Sequence, residues 1–401
     1  MKKLLLFPLT FFILLNMPTK AQWQQSQGSA GVNVYGIVIN GSVVIAGMGN
    51  GILKSTDNGA TFTLSNNGLT STNVRAIATI GSYTFAGTYW GGGVFLSTDY
   101  GSTWTAVNTG MTNKWIFSLL AKNTDLFAGT STGGVFSTGD YGSNWVPATN
   151  GITAQYIYAL TRHNMKIFAG TEDGIFQSSD NGLSWFASNN GMTANSTVAA
   201  IAVNGSYIYA GTYENGVFLS TDDGSTWTAI NNGLTTTDIR SLTVNGNAVY
   251  AGTYGGGIYI STNAGSSWTP INTGLSNMNV YSLYNDGSTM FAGTGDGIFK
   301  RSIGEINSIN DISNTVAIQL SAYPNPFKSQ ATIQYSVPAT ENVIVKIYDV
   351  LGNCVLTMVD RTLSQGTYQE TLNGESLSSG LYYCTLQTGD IKKTIKLILN
   401  K

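Results

Sequence analysis

Six short segments of the chain follow the pattern Ser-x-Asp-x-Gly-x-x-Trp. Three residues depart from it: Phe62 replaces Trp, Thr138 replaces Ser and Asn263 replaces Asp. A carboxylate at the Asp position could serve acid–base catalysis, but a catalytic group is used once per site and these six are evenly distributed. A short aspartate can instead accept hydrogen bonds from its own turn, beside a glycine with positive φ and a buried tryptophan. We therefore predict a structural role for Asp57, Asp99, Asp140, Asp180, Asp222 and Asn263.

Loop carboxylates are the residues that a hydrolase would require, and this chain has five: Glu172, Asp173, Glu214, Asp238 and Asp296. A glycosidase needs two carboxylates that flank the scissile bond. Nothing in the sequence places any two of them at the required separation, and the loops are too short to wall off a cleft. His163 is the only histidine, so no metal cluster or histidine-based triad is supported. We expect a surface role for His163, and we predict no catalytic residue, no metal and no cofactor.

Aromatic and arginine side chains recur in the loops and near the strand starts. Aromatic rings suit stacking on sugars or peptides, and guanidinium groups suit carboxylates. Packing between neighbouring structural units is the alternative interpretation. The candidate ligand-binding residues are Arg75, Tyr89, Trp90, Trp115, Tyr158, Glu172, Asp173, Tyr213, Glu214, Arg240 and Tyr254.

A repeat of about 41 residues positions all of these side chains. An Ala-Gly pair marks each copy, and the pairs begin at Ala46, Ala86, Ala128, Ala169, Ala210, Ala251 and Ala292. Each unit contains four short runs rich in β-branched and aromatic residues, bounded by Gly, Asn, Asp or Ser, which predicts four strands. Four strands in about 40 residues are typical of a propeller blade. Equivalent positions at the start of the innermost strands are Tyr35, Arg75, Phe117, Tyr158, Ala199, Arg240 and Tyr281.

The six polar segments resemble the Asp-box, or bacterial neuraminidase repeat. The resemblance implies a β-propeller in which the boxes lie on hairpins away from the ligand face. Members of such families include sialidases, some endoglucanases and binding scaffolds, but the Arg-Ile-Pro start of sialidases is absent here. The loops between the second and third strands vary in sequence, whereas the box side is uniform. Because functional residues concentrate in loops on a rigid scaffold, we expect the ligand at the variable face.

The two ends of the repeat region are incomplete and complement each other. The last unit supplies three strands, and Trp23 opens a segment that aligns with the fourth strand of other units. We predict that this N-terminal strand completes the last blade, which removes an exposed sheet edge. The prediction is a seven-bladed propeller over residues 22–303, followed by a linker over 304–316.

Residues 317–401 lose the repeat and read as six or seven short strands, which suggests a small Ig-like β-sandwich. The segments YPNPF (323–327), VKIYDVLG (345–352), LSSGLYY (377–383) and KTIKLIL (393–399) closely resemble the C-terminal sorting domain of the type IX secretion system of Bacteroidota. The resemblance implies that the secretion machinery is a partner and that the tail directs export. Both cysteines, Cys354 and Cys384, lie in this tail, where a disulfide and buried thiols are equally compatible with the sequence.

The N-terminus and the composition agree with export. Residues 1–21 have two lysines, an apolar run and small residues before Gln22, as in a secretory signal peptide. The apolar run is too short to span a membrane, and no other run approaches the required length. Residues 22–310 carry nine Lys and Arg against fourteen Asp and Glu, so no basic face for nucleic acid is expected.

Three functions remain open at this point. The first is a secreted or cell-surface, non-catalytic binding propeller that recognises a glycan or a protein through its loops. The second is a glycoside hydrolase acting on extracellular polysaccharide. The third is a purely structural surface-coat or adhesin component.

Overall fold

The computed structural model describes residues 22–306, 320–337, 341–364, 366–388 and 391–401. The predicted signal peptide, residues 1–21, lies outside the described residues. Apart from one helical turn at residues 303–306, the regular structure is β-strand. Contacts divide the chain into two compact units, with the boundary after Ile306. This confirms the prediction of an all-β protein with a propeller followed by a small β-sandwich.

The first unit begins with β1 (Gln24–Gln25) and continues through antiparallel sheets in sequence order. Sheet 1 contains β2 (Val34–Asn40), β3 (Val43–Met48), β4 (Gly51–Ser55) and β5 (Thr63–Leu64). Sheet 2 contains β6 (Val74–Ile80), β7 (Tyr83–Thr88), β8 (Gly93–Ser97) and β9 (Thr105–Ala106). Sheet 3 contains β10 (Ile116–Lys122), β11 (Asp125–Thr130), β12 (Val135–Thr138) and β13 (Val146–Pro147).

The remaining sheets follow the same order. Sheet 4 contains β14 (Ile157–His163), β15 (Lys166–Thr171), β16 (Gly174–Ser178) and β17 (Phe186–Ala187). Sheet 5 contains β18 (Val198–Asn204), β19 (Tyr207–Thr212), β20 (Val217–Ser220) and β21 (Thr228–Ala229). Sheet 6 contains β22 (Ile239–Asn245), β23 (Ala248–Thr253), β24 (Gly257–Ser261) and β25 (Thr269–Pro270). Sheet 7 contains β26 (Val280–Asn285), β27 (Thr289–Thr294), β28 (Gly297–Ser302) and β1.

The sheets form a closed ring. The first strand of each sheet packs against the first strand of the next, and β26 packs against β2. The N-terminal strand β1 pairs antiparallel with β28, placing Gln24 opposite Lys300. Trp23 is buried and donates its indole N–H to the carbonyl of Ile271, 2.6 Å away. Strand β1 thus occupies the outer edge of sheet 7.

Apolar clusters between neighbouring sheets hold the ring together. In the cluster between sheets 2 and 3, Phe85 and Val94 meet Ile116, Phe136 and Trp145. The tryptophan that ends each of five boxes is buried, and its indole N–H donates to a backbone carbonyl at the outer strand of the preceding sheet. Each such tryptophan therefore fills an inter-sheet gap and also satisfies its one polar atom, as a buried indole requires.

The second unit has two sheets around one core. Its strands are β29 (Leu320–Tyr323), β30 (Gln330–Val337), β31 (Glu341–Tyr348), β32 (Cys354–Leu363), β33 (Gly366–Asn373), β34 (Gly380–Thr388) and β35 (Ile391–Leu399). The sheet orders are β29-β30-β33 and β32-β31-β34-β35. The seven strands agree with the six or seven that the sequence predicts. Cys354 is exposed and Cys384 is buried, and both are free thiols.

The segment between the units is only partly described. Ile303 and Ile306 are buried in the core cluster of sheets 6 and 7, so the first described residues of the predicted linker belong to the propeller packing. The rest of the predicted linker, residues 307–316, lies outside the described residues. Nowhere in the described ranges does a helix reach the length and apolar character needed to cross a membrane.

Candidate functional site

A β-bulge at the start of each first strand creates the centre of the site. The register shifts occur between Val34 and Gly36 in sheet 1, and at the equivalent place in the other six sheets. Each bulge leaves one residue outside the ladder, and bulges commonly redirect a side chain. The bypassed residues are Tyr35, Arg75, Phe117, Tyr158, Ala199, Arg240 and Tyr281.

These seven residues, together with Tyr213, line one cavity of about 130 Å³ at the axis of the ring. The sequence repeat indicated that they are equivalent, and the structure brings them together. Ala199 is the one small member, and Tyr213 from the loop of the same sheet lines the cavity beside it. Burial raises the pKa of Tyr158 to about 12 and also raises the pKa of Tyr213. Burial therefore makes both phenols harder to ionise than an exposed tyrosine.

The side chains around the cavity form an unbroken circuit of π and cation–π contacts. Arg75 lies 4.1 Å from the ring centroid of Tyr35 and 5.1 Å from that of Tyr89. Arg240 lies 4.0 Å from the centroid of Tyr213 and 5.2 Å from that of Tyr254. The other links are the pairs Tyr89–Phe117, Phe117–Tyr158, Tyr158–Tyr213, Tyr254–Tyr281 and Tyr281–Tyr35, with centroids 5.1 to 6.3 Å apart.

Two arginines occupy equivalent places but have different partners. The Nε of Arg240 donates to Asp238 at 2.6 Å, and its Nη2 donates to the other carboxylate oxygen at 2.8 Å. Burial lowers the pKa of Arg240, but the hydrogen bonds and charge of Asp238 give a net rise. The Nε of Arg75 donates instead to the amide oxygen of Asn73 at 3.1 Å. Among the described residues, no carboxylate forms an ion pair with Arg75.

The rim of the site carries three exposed rings: Trp90 is 67% exposed, Tyr254 47% and Trp115 42%. Trp115 packs edge-on against Tyr89, with ring centroids 4.9 Å apart. Trp90 lies 6.1 Å from Tyr89 and has a φ of 64°, in the left-handed region that bulky residues seldom adopt. Strained backbone at an exposed ring indicates that the surrounding structure holds this residue in place.

Two small polar residues fix these loops in most of the repeats, and sequence reasoning missed their role. The threonine that follows six of the seven Ala-Gly pairs donates to a carbonyl at the far side of the loop, as Thr88 does to Gly93. In five repeats an asparagine after the fourth strand accepts from the start of the third strand and donates to the loop, as Asn108 does with Val94 and Gly92. Their recurrence at the repeat spacing was the available signal.

Three of the five loop carboxylates are engaged within the fold. Glu172 accepts the amides of Gln155 and Tyr156 at 2.6 and 2.8 Å. Asp238 holds Arg240, and Asp296 accepts the amide of Gly31 at 2.8 Å. Asp173 and Glu214 are exposed, and neither contributes to the cavity lining. Glu172, Asp173 and Glu214 therefore lie in the loops between second and third strands, outside the aromatic circuit.

The box residues lie at the opposite end of the ring, on the hairpins between third and fourth strands. Asp222 accepts hydrogen bonds from the hydroxyl of Thr226 at 2.6 Å, the amide of Thr226 at 2.8 Å and the hydroxyl of Ser220 at 2.8 Å. These bonds lower the pKa of Asp222 to about 2. Equivalent bonds occur at Asp57, Asp99, Asp140, Asp180 and Asn263.

His163 lies on that same side and is not a surface residue. It is 8% exposed, its Nδ1 lies 2.7 Å from a carboxylate oxygen of Asp223, and its Nε2 lies 2.9 Å from the carbonyl of Gly205. The expectation of a surface role was wrong because the next sheet covers the strand end. Over the described ranges, no group of three or more His, Cys, Asp or Glu is arranged to hold a metal ion.

Comparisons with known protein families identify both units in outline. Residues 186–343 match the family described as DUF6242 beta propeller domain. Residues 321–400 match the family described as secretion system C-terminal sorting domain. No curated protein sequence matches the chain. The first match covers part of the ring, and the second indicates export to the cell surface or beyond it.

Solved structures with similar folds come from several classes of protein. One is PorZ of Porphyromonas gingivalis, at 16% identity and TM-score 0.55, covering 96% of this chain and 61% of that one. Another is YCF48 from Cyanidioschyzon merolae, at 16% identity and TM-score 0.56, covering 71% and 99%. A third is the GH74 enzyme of Niastella koreensis, at 19% identity and TM-score 0.52, covering 68% and 43%. This chain thus spans less than two thirds of PorZ and less than half of the GH74 enzyme.

Proposed function

We propose that the protein is a non-catalytic binding protein, exported by a type IX secretion system of the Bacteroidota kind and then secreted or displayed on the cell surface. On this proposal residues 1–21 are a signal peptide and residues 22–303 form a seven-bladed Asp-box propeller closed by its N-terminal strand. Residues 317–401 engage the secretion machinery. The propeller recognises an extracellular glycan or protein through its loop-bearing end, which we call the loop face.

One observation carries the proposal: the loop face has a closed circuit of aromatic and guanidinium groups around an axial cavity, with Trp90 and Trp115 exposed at its rim. Tryptophan, tyrosine and arginine are enriched among residues that dominate binding energy. In the inter-sheet clusters, by contrast, the central rings such as Phe85, Phe136 and Trp145 are buried. Packing between sheets therefore does not account for the exposed rings at the rim.

The state of the loop carboxylates favours binding over hydrolysis. An inverting or retaining glycosidase needs one carboxyl group to protonate the leaving group and a second to act on the opposite side. Glu172 accepts two backbone amides, and Asp296 accepts one backbone amide and one serine hydroxyl. Asp238 uses both of its oxygens on Arg240. Structures of the same fold include an enzyme, the GH74 protein, and a binding protein, YCF48, which has been solved with a D1 peptide. Glycoside hydrolysis remains the second candidate through this similarity of fold alone.

The test is a binding screen with the full chain against immobilised glycans and cell-surface proteins, with product analysis of each ligand that binds. We expect binding without cleavage. Trp90→Ala should weaken it, whereas Leu183→Ala, which removes an exposed apolar side chain at a box hairpin, should not. Cleaved products would contradict the proposal and favour the hydrolase. Binding that is equally insensitive to both substitutions would show that the ligand lies elsewhere.

A further inference from the structure

We propose that the loop face recognises a carboxylated glycan, an oligosaccharide chain containing uronic acids. Its carboxylate pairs with Arg75, and adjacent sugar rings stack on Trp90 and Trp115. The inference rests on the proposed binding function and names the chemical class of ligand for that same site.

The two arginines of the circuit differ in the residue that holds them. Asn73 and Asp238 stand two residues before Arg75 and Arg240, and each binds the Nε of its own arginine. Asp238 neutralises Arg240, so that guanidinium is a structural group. Asn73 has nearly the same shape but no charge, so it orients Arg75 and leaves the positive charge available. Arg75 is held between two aromatic rings, and its Nη groups make no hydrogen bond to the part of the chain that the structure describes. Such a guanidinium matches the planar, bidentate geometry of a carboxylate.

Charge is unevenly distributed around the loop face. The connections and loops of sheets 2 and 3 occupy residues 66–75, 88–93, 108–117 and 130–134. They contain Arg75 and Lys114 but no aspartate or glutamate. The loops of sheets 4 to 7 contain all five loop carboxylates. An anionic ligand is therefore attracted to one half of the face and repelled from the other.

The two exposed tryptophans lie on the positive half. Trp90 and Trp115 flank Tyr89, which also contacts Arg75. The C–H bonds on the face of a sugar ring carry partial positive charge and meet the negative face of an aromatic ring favourably. Trp90 and Trp115 beside Arg75 therefore fit an oligosaccharide whose sugar rings and carboxylates follow one another at short spacing. A peptide would offer its carboxylate only at the C-terminus or on flexible side chains.

The experiment measures binding of oligogalacturonate to the full chain by calorimetry, with the carboxyl-reduced oligosaccharide as the neutral control. We expect the reduced ligand to bind at least about tenfold more weakly, because it lacks the charge-assisted pair. Asn73→Asp supplies Arg75 with an internal carboxylate of the same shape, so it should cause a similar loss for the charged ligand and little change for the neutral one. Asp238→Asn releases the second cation and should strengthen binding of the charged ligand.

Arg162→Gln is the matched control, because this exposed arginine lies at the box end of its strand. It should leave both affinities unchanged. If oligogalacturonate and its reduced form bind equally, or if Asn73→Asp has no effect, the inference is wrong although a glycan-binding function stands. If only a protein ligand binds, the inference is wrong and the proposed function stands. If no glycan or protein binds, both fail.

Discussion

At one end of the propeller the six box hairpins carry nearly the same residues, whereas at the other end every loop between the second and third strands is different. The box carboxylates are saturated by hydrogen bonds from their own turns, as Asp222 shows. The loop face exposes large rings and carries Arg75, a half-buried arginine without a carboxylate partner among the described residues. The repeat sequence is therefore nearly constant where polar side chains form hydrogen bonds within their own turns. It varies where side chains are left available for a ligand.

The largest effect is expected from a substitution that disrupts the packing between neighbouring sheets. Trp185 is 1% exposed and donates its indole N–H to the carbonyl of Ala148 at 2.8 Å. Trp185→Ala should lower the free energy of unfolding by about 3–5 kcal/mol, through lost burial and a cavity. Calorimetric melting measures the change. Trp90→Ala is the comparison, because it removes the same side chain from an exposed site, and a similar loss of stability there would contradict the division between the two regions.

The next largest effect is expected from a steric clash at a glycine that packs against the backbone of a box tryptophan. Gly191 has a φ of 90°, and a Cβ there would lie 2.2 Å from the carbonyl oxygen of Trp227. Gly191→Ala should cost about 2–4 kcal/mol, because backbone strain and a clash with backbone add. Gly81 also has positive φ, but a Cβ there meets nothing within 4 Å. Gly81→Ala should therefore cost only about 1–2 kcal/mol, and equal costs would show that the contact is unimportant.

A smaller effect of opposite sign is expected at the rim. Trp90 has a φ of 64° and is mostly exposed, so it contributes little burial and carries backbone strain. Trp90→Gly should leave stability unchanged or raise it by up to about 1 kcal/mol, while ligand binding falls. Melting and binding are measured on the same preparation. A loss of stability greater than that of Trp90→Ala would mean that the tryptophan stabilises the loop rather than serving the ligand.

The sequence was sufficient to predict the repeat, the propeller strands and the seven equivalent positions at the starts of the first strands, because the repeat period and the turn residues are local signals. It did not show the bulges that turn these residues into the cavity, since a bulge depends on pairing with the neighbouring strand. It also did not show that Tyr213 lines the cavity beside Ala199, or that Asp238 and Asn73 pair with different arginines in otherwise similar places.

The smallest predicted effect tests whether the box aspartates serve only their own turns. The pKa of Asp222 is lowered from 3.8 to about 2, chiefly by the hydroxyl and then the amide of Thr226. Because its folded-state pKa lies below the unfolded value, its charge adds stability above pH 3.8, and that stability is lost as the pH falls towards 2. Asp222→Asn should therefore flatten the fall in melting temperature over this range.

The sixth box supplies the reciprocal test. It already carries Asn263, whose Oδ1 accepts the amide of Ser267 at 2.9 Å and whose Nδ2 donates to the hydroxyl of that serine. An amide therefore fits the turn, and Asn263→Asp should steepen the same pH dependence by a similar small amount. Ligand binding at neutral pH should not change in either variant, because both lie at the opposite end of the ring from the cavity. A change in affinity would mean that the two ends of the ring are coupled.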